Sequence, residues 1–209
     1  VCTEDRLLKL SGKSDPKWAL GEPIACFVYA ASRFKVKPGD RVAMIGCGYM
    51  GIGCLIMAKL EGAAEVVAIE PLDWRRASAL KAGASKVYDP AGKSADDVLA
   101  DLGEFDVVIE ATGVESVVEM CTKLVKQHGV IVFVGYHQSN NGMRTVDMKT
   151  WNFKAIDIIN GHVRLEGEKY KAMQYGMELQ DAKKLDFSSM IEYYPIDQIT
   201  KAFTDLVDR

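Results

Sequence analysis

Apolar residues along this chain fall into short continuous runs, and these alternate with stretches whose apolar positions recur every three or four residues. Unbroken runs mark strands covered on both faces, and the wider spacing marks helices packed by one face. The first run, Val42 to Ile45, leads to a helical stretch at Ile52 to Leu60. Val66 to Glu70, Lys86 to Tyr88, Asp106 to Glu110 and Val130 to Gly135 read as further strands. Helices are predicted between them at Trp74 to Ala82, Ser94 to Leu102 and Val114 to Lys126. This alternation predicts right-handed crossovers and an α/β fold, a Rossmann-type doubly wound parallel sheet of about six strands with helices on both faces.

The pattern loosens at both ends. Tyr136 to Met143 reads as a polar loop, Trp151 to Lys154 as a short helix, Ile156 to Asn160 as the sixth strand, and Glu168 to Lys183 as an amphipathic helix. Met190 to Tyr194 is expected as a last strand and Ile196 to Val207 as a last helix. Val1 to Gly21 lacks periodicity and reads as an irregular lead-in. A helix begins near Glu22-Pro23, since proline suits a first turn, and Lys37-Pro38-Gly39-Asp40 turns the chain into the first strand.

The junction after that strand carries the chemistry. Gly46, Gly48 and Gly51 have G-x-G-x-x-G spacing, with Cys47, Tyr49 and Met50 between them. The order strand, glycines, helix makes the motif informative. The first glycine permits a sharp turn, the second lets backbone approach a pyrophosphate, and the third lets the helix pack closely on the sheet. The helix N-terminus then offers N–H groups and a positive dipole end to the phosphates. Glu70 closes the second strand nineteen residues after Gly51, the position of a carboxylate that grips an adenosine ribose. Its charge opposes a 2′-phosphate, which favours NAD over NADP.

Composition narrows the possible partners. With 209 residues, 48% of them hydrophobic, the chain can bury a substantial core. A net charge of −3 offers no basic surface for nucleic acid or anionic membrane, and no apolar run reaches membrane-span length. Cys2, Cys26, Cys47, Cys54 and Cys121 are odd in number and form no C-x-x-C pair, which suggests reduced thiols in a cytoplasm. The chain starts abruptly, without an initiator methionine, and reads as part of something longer.

GEPIAC at Gly21 to Cys26, VKPGDRVAMIGCGYMG at Val36 to Gly51, LKAGASKVYD at Leu80 to Asp89, FDVVIEATG at Phe105 to Gly113 and GVIVFVGY at Gly129 to Tyr136 carry a resemblance. In these segments the chain resembles the nucleotide-binding half of the medium-chain dehydrogenase/reductase family, the zinc-dependent alcohol, sorbitol and threonine dehydrogenases. The resemblance implies a lead-in and linker helix over residues 1–35, an NAD-binding domain over 36–165, and C-terminal elements over 166–209 that return toward a catalytic domain. That catalytic domain, with its cysteine and histidine-glutamate zinc ligands, would precede the chain, and the part supplied would transfer no hydride by itself. It further implies that Arg75 lies on the ribose 3′-hydroxyl. The backbone of Ala111, Thr112 and Gly113 would run along the cofactor, and Val134, Gly135 and Tyr136 would lie near the nicotinamide. Glu22 becomes a candidate zinc ligand in the full-length enzyme, with a dipole-favoured helix carboxylate as the equal alternative. Arg76, beside Arg75, leaves a phosphate contact open. Relatives also join their sheets across the strand near Ile156 to Asn160, which implies a homodimer or homotetramer.

The activity so implied is NAD-dependent oxidation of a secondary alcohol, a polyol, sugar or hydroxy amino acid, with zinc as Lewis acid. The alternative is a non-catalytic dinucleotide-binding sensor or regulatory module on the same fold. His128, His137 and His162 lack metal spacing; His137 reads as a loop histidine, with contact to substrate or cofactor as the lesser alternative, and Cys47 as a small packing residue.

Overall fold

A computed structural model describes residues 7–13, 15–187 and 190–207. Val1 and Cys2, named above, lie outside the described residues. Six strands form one parallel sheet: β1 (Arg41–Ile45), β2 (Glu65–Ile69), β3 (Lys86–Tyr88), β4 (Phe105–Glu110), β5 (Val125–Phe133) and β6 (Asp157–Asn160), in the order β3-β2-β1-β4-β5-β6. The helices are α1 (Gly21–Ala31), α2 (Tyr49–Leu60), α3 (Asp73–Lys81), α4 (Ala95–Leu102), α5 (Val117–Leu124), α6 (Met148–Lys154), α7 (Glu166–Asp181) and α8 (Ile199–Val207). This is the doubly wound sheet expected, and its order reverses between β1 and β4, where such folds open a ligand crevice at the strands' carboxyl ends.

Strand pleating divides the apolar runs between two cores. Val42 and Met44 of β1, Val66 and Ala68 of β2, and Val107 and Ile109 of β4 point toward α1, α2 and α7. Ala43, Ile45, Val67, Ile69 and Val108 point toward α4 and α5, where Val98, Leu102, Cys121 and Leu124 await them. Successive residues of a strand face opposite sides, so a run buried on both sides must be apolar throughout. Helix starts follow local chemistry: Ser94 and Asp97 form a reciprocal capping box for α4, and Asp147 caps α6.

Several boundaries differ from the expected ones. Helix α2 begins at Tyr49 rather than Ile52, so Gly51 sits in its first turn, where Ile52 N–H donates to Gly48 O at 2.9 Å. Helix α5 stops at Leu124 because Val125 pairs with Phe105 and starts β5, a register shift absorbing the left-handed turn at His128. Met190 to Tyr194 forms no strand, since the sheet ends at β3 and β6. Side-chain contacts hold that segment instead, with the Tyr193 ring edge-on to Trp18 at 5.3 Å. The last helix is split, a 3₁₀ turn at Ile196–Gln198 preceding α8. No helix among the described residues is long and apolar enough to cross a membrane.

One carboxylate in this scaffold gives a pH-dependent expectation. Glu61 ends α2 half-buried beside Tyr29, Met57 and Tyr175, and burial pushes its carboxyl up from 4.5 to about 7. An acid with a raised folded pKa loses stability as pH rises from the unfolded value through the folded one. Fully felt, the difference would cost roughly 3 kcal/mol, and screening of a half-exposed group leaves about 1 kcal/mol. Glu61→Gln should therefore gain about 1 kcal/mol on wild type between pH 4.5 and 7.5 in urea denaturation. A stability difference that stays constant over that window would refute it.

Candidate cofactor site

Glycines of the turn after β1 are required by their neighbours. Gly46 has φ +88°, and a Cβ there would lie 2.6 Å from Thr112 Cγ2. A Cβ on Gly51 would sit 1.9 Å from Gly46 O, so the start of α2 touches the turn backbone to backbone. At Gly48 a Cβ would meet nothing within 4 Å. The turn is therefore tight beneath and open above Gly48, the N-cap of α2, as a pyrophosphate approaching backbone N–H groups requires.

Glu70 lies directly against this turn. Only 2% exposed, its carboxylate accepts from Cys47 N–H at 2.8 Å and from Leu72 N–H at 3.1 Å. Each oxygen thus keeps a lone pair for a further donor. Arg75 Nη1 stands 3.9 Å from the same carboxylate, its guanidinium lies over Trp74, and its buried Nε has no partner. Arg76 is already engaged: it donates to Glu70 O at 2.7 Å and pairs with Asp73 and Asp89. The Cys47 thiol beside them is fully buried and pushed up to about 12 by desolvation, as a packing residue and not a nucleophile.

On the other side of the switch point, Ala111, Thr112 and Gly113 leave β4 against Gly46, while Val134 and Gly135 N–H groups both donate to Glu110 O, at 2.8 and 3.0 Å. A Cβ on Gly135 would lie 2.2 Å from Gly113 N, and one on Gly113 2.7 Å from Tyr136 O. Glu70, Arg75, the glycine turn, and both later loops therefore form one continuous rim. Tyr49 faces inward from it, its ring stacked on Phe187 at 4.6 Å, and Met50 packs partly buried against the core. Glu22 stands apart. Its exposed carboxylate accepts from Cys26 Sγ at 3.3 Å and pairs with Lys169 at 3.3 Å.

The sequence reading missed two members of the rim. Glu110 is completely buried, hidden in the sequence within an apolar strand. His137 is no free loop histidine: its Nε2 lies 2.9 Å from Glu110 Oε2, and Arg144 Nε donates to its Nδ1 at 2.9 Å. A charged residue at the end of a continuous apolar run was the available signal, because a buried carboxylate needs partners.

These features define a Rossmann-type α/β domain with a glycine turn and an acidic residue at its switch point. A family model described as zinc-binding dehydrogenase matches residues 50–176, and the chain belongs to this family. It is 31% identical to D-arabinitol dehydrogenase 1 of Uromyces fabae over 98% of this chain and 59% of that protein. Alcohol dehydrogenase TADH from Thermus sp. ATN1 superposes with a TM-score of 0.83 at 21% identity, over 97% of this chain and 58% of that one. A Sinorhizobium meliloti 1021 zinc-binding dehydrogenase structure bound to NADP superposes with a TM-score of 0.78 at 24% identity, over 88% and 54%. The chain spans between 39 and 59% of the length of the first curated relatives it matches.

The rim fits a nicotinamide dinucleotide, because it pairs an open backbone cradle with a carboxylate facing it. Zinc does not fit this chain alone. Glu22 and Cys26 bring two donors beside a lysine cation, and no group of three possible ligands occurs among the described residues, whereas a zinc centre takes three or four.

Proposed function

We propose that this chain is the NAD-binding part of an alcohol or polyol dehydrogenase. The observation that carries the reading is the 2.8 Å bond from Cys47 N–H to Glu70, which ties the ribose carboxylate to the glycine turn. In this reading Glu70 accepts from the adenosine ribose hydroxyls, with Arg75 at their edge. Gly46, Gly48, Tyr49, Met50 and Gly51 present the helix N-terminus to the pyrophosphate. Ala111, Thr112, Gly113, Val134, Gly135 and Tyr136 seat the other half of the dinucleotide. Bound there, the nicotinamide supplies hydride transfer with a small alcohol or polyol, and Glu22 is a candidate ligand only where a further domain completes the zinc site.

NAD is favoured over NADP because Glu70 opposes a 2′-phosphate and Arg76, held by Glu70 O, Asp73 and Asp89, is not free to receive one. Calorimetric titration should show NAD binding at least about tenfold tighter, roughly 1.4 kcal/mol. Equal affinities would overturn the assignment of Glu70. The stand-alone sensor has no observation in its favour.

The same reading extends to assembly. Strand β6 is a sheet edge, Ile158 is 42% exposed on it and Phe153 of the preceding helix 82% exposed. An unpaired apolar edge favours pairing with a second copy, in an isologous contact. Ile158→Lys should shift a dimer to monomer in light scattering; an unchanged mass would remove this interface.

A further inference from the structure

Glu110, His137 and Arg144 join the loop after β4 to the loop after β5. The Glu110 carboxylate, at the end of β4, accepts at Oε1 from Thr112 N–H at 2.6 Å, from the Thr112 hydroxyl, and from Gly113 N–H at 2.8 Å. Its other oxygen faces His137 Nε2. Since Arg144 Nε donates to His137 Nδ1, the ring proton sits on Nε2 and is donated to Glu110. The same guanidinium reaches Gly113 O at 3.3 Å, Ser139 O and Met143 O at 2.7 Å, and Ser139 Oγ at 3.1 Å. One cation therefore holds both the loop after β4 and the loop after β5, and through a neutral imidazole it offsets the buried charge of Glu110. The Phe133 ring, edge-on to His137 at 5.5 Å, closes the side of the imidazole.

We propose that Glu110, His137 and Arg144 form a clasp that positions the nicotinamide half of the cofactor without contributing to the grip on its adenosine half. The proposal rests on the dinucleotide reading above. A dinucleotide whose ribose meets Glu70 at the end of β2 and whose pyrophosphate crosses the glycine turn must lay its remaining half toward β4 and β5. The loops there already touch backbone to backbone at Gly113, Gly135 and Tyr136, so a shift of either moves that seat. Small misplacements of a reacting group matter far more to chemistry than to affinity. None of the three side chains is on the β2 side, where Glu70, Cys47 and Leu72 form their own bonds.

The test uses the 209-residue chain with two ligands, NADH, whose emission reports how its reduced nicotinamide is held, and ADP-ribose, which lacks that ring. His137→Ala and Arg144→Met should lower the emission gain of bound NADH about threefold or more, with ADP-ribose affinity within about twofold of wild type. His137→Gln should restore most of the gain, because its amide can donate to Glu110 and accept from Arg144. If Arg144→Met does not fold, Arg144→Lys gives the same reading, since one ammonium keeps the charge but cannot serve both loops. Unchanged emission in His137→Ala and in the Arg144 variant would overturn the clasp. So would a parallel fall in ADP-ribose and NADH affinity, the mark of a merely structural role. Failure of the wild-type chain to bind ADP-ribose would instead overturn the cofactor reading on which the clasp rests.

Discussion

Gly48→Val is expected to abolish dinucleotide binding, weakening NAD by about a hundredfold or more, close to 3 kcal/mol, while the fold stays intact. The structure separates these two effects at this position. A Cβ at Gly48 meets no protein atom within 4 Å, and φ is −70°, which any residue adopts. Little in the free protein resists the substitution, apart from the few tenths of a kcal/mol to about 1 by which valine is a poorer helix N-cap than glycine. The open space is nevertheless where a pyrophosphate must meet backbone N–H groups and the positive end of α2. A branched side chain there holds the phosphates away from donors that act only at hydrogen-bond distance. Calorimetry for NAD and thermal melting of the free variant check both halves. Wild-type NAD affinity in Gly48→Val would remove the glycine turn from the cofactor site. A large fall in melting temperature would show the open space to be structural.

How much of this was legible in the sequence depended on whether the signal was local. The order of β1, the glycines, α2, β2 and Glu70 could be read because each rests on neighbouring residues and a fixed spacing. The two-sided burial of β1, β2, β4 and β5 was equally visible, since a strand facing two cores has no polar positions to spare. The start of α2 was misread because its first turn carries Tyr49, Met50 and Gly51, whose apolar pattern does not distinguish turn from helix. Met190 to Tyr194 has strand-like residues, but strand formation needs a partner edge, a property of the whole sheet. The cluster of Glu110, His137 and Arg144 was hidden for the same reason. Its members are 27 and 7 residues apart, and only the crossover from β4 to β5 brings them together. Glu22 shows the opposite limit: a segment that carries a family likeness, but with only Cys26 and Lys169 as partners among the described residues.

Gly51→Ala should act through the fold, and so oppositely to the substitution three residues earlier. An added Cβ would lie 1.9 Å from Gly46 O and 2.9 Å from Gly46 C. Both are backbone atoms of the turn, so no side-chain rotamer can relieve the overlap. Either α2 moves off the end of β1, or the turn opens. Moving α2 disturbs the packing of Ile52, Cys54 and Leu55, all essentially buried in the core with β1. Opening the turn strains Gly46, which is already at φ +88° against Thr112. Helix propensity works the other way, since alanine in a helix is favoured over glycine by about 1 kcal/mol. That gain is smaller than the cost of overpacking a rigid site, typically up to about 3 kcal/mol and occasionally more. The net expectation is a loss of about 2 kcal/mol or more in urea denaturation. Saturating NAD should recover part of it, because a ligand that binds only the folded state stabilises it by mass action. A Gly51→Ala chain as stable as wild type would mean that α2 can leave the turn at little cost. The close seating of this helix would then no longer explain why a glycine stands at its first turn.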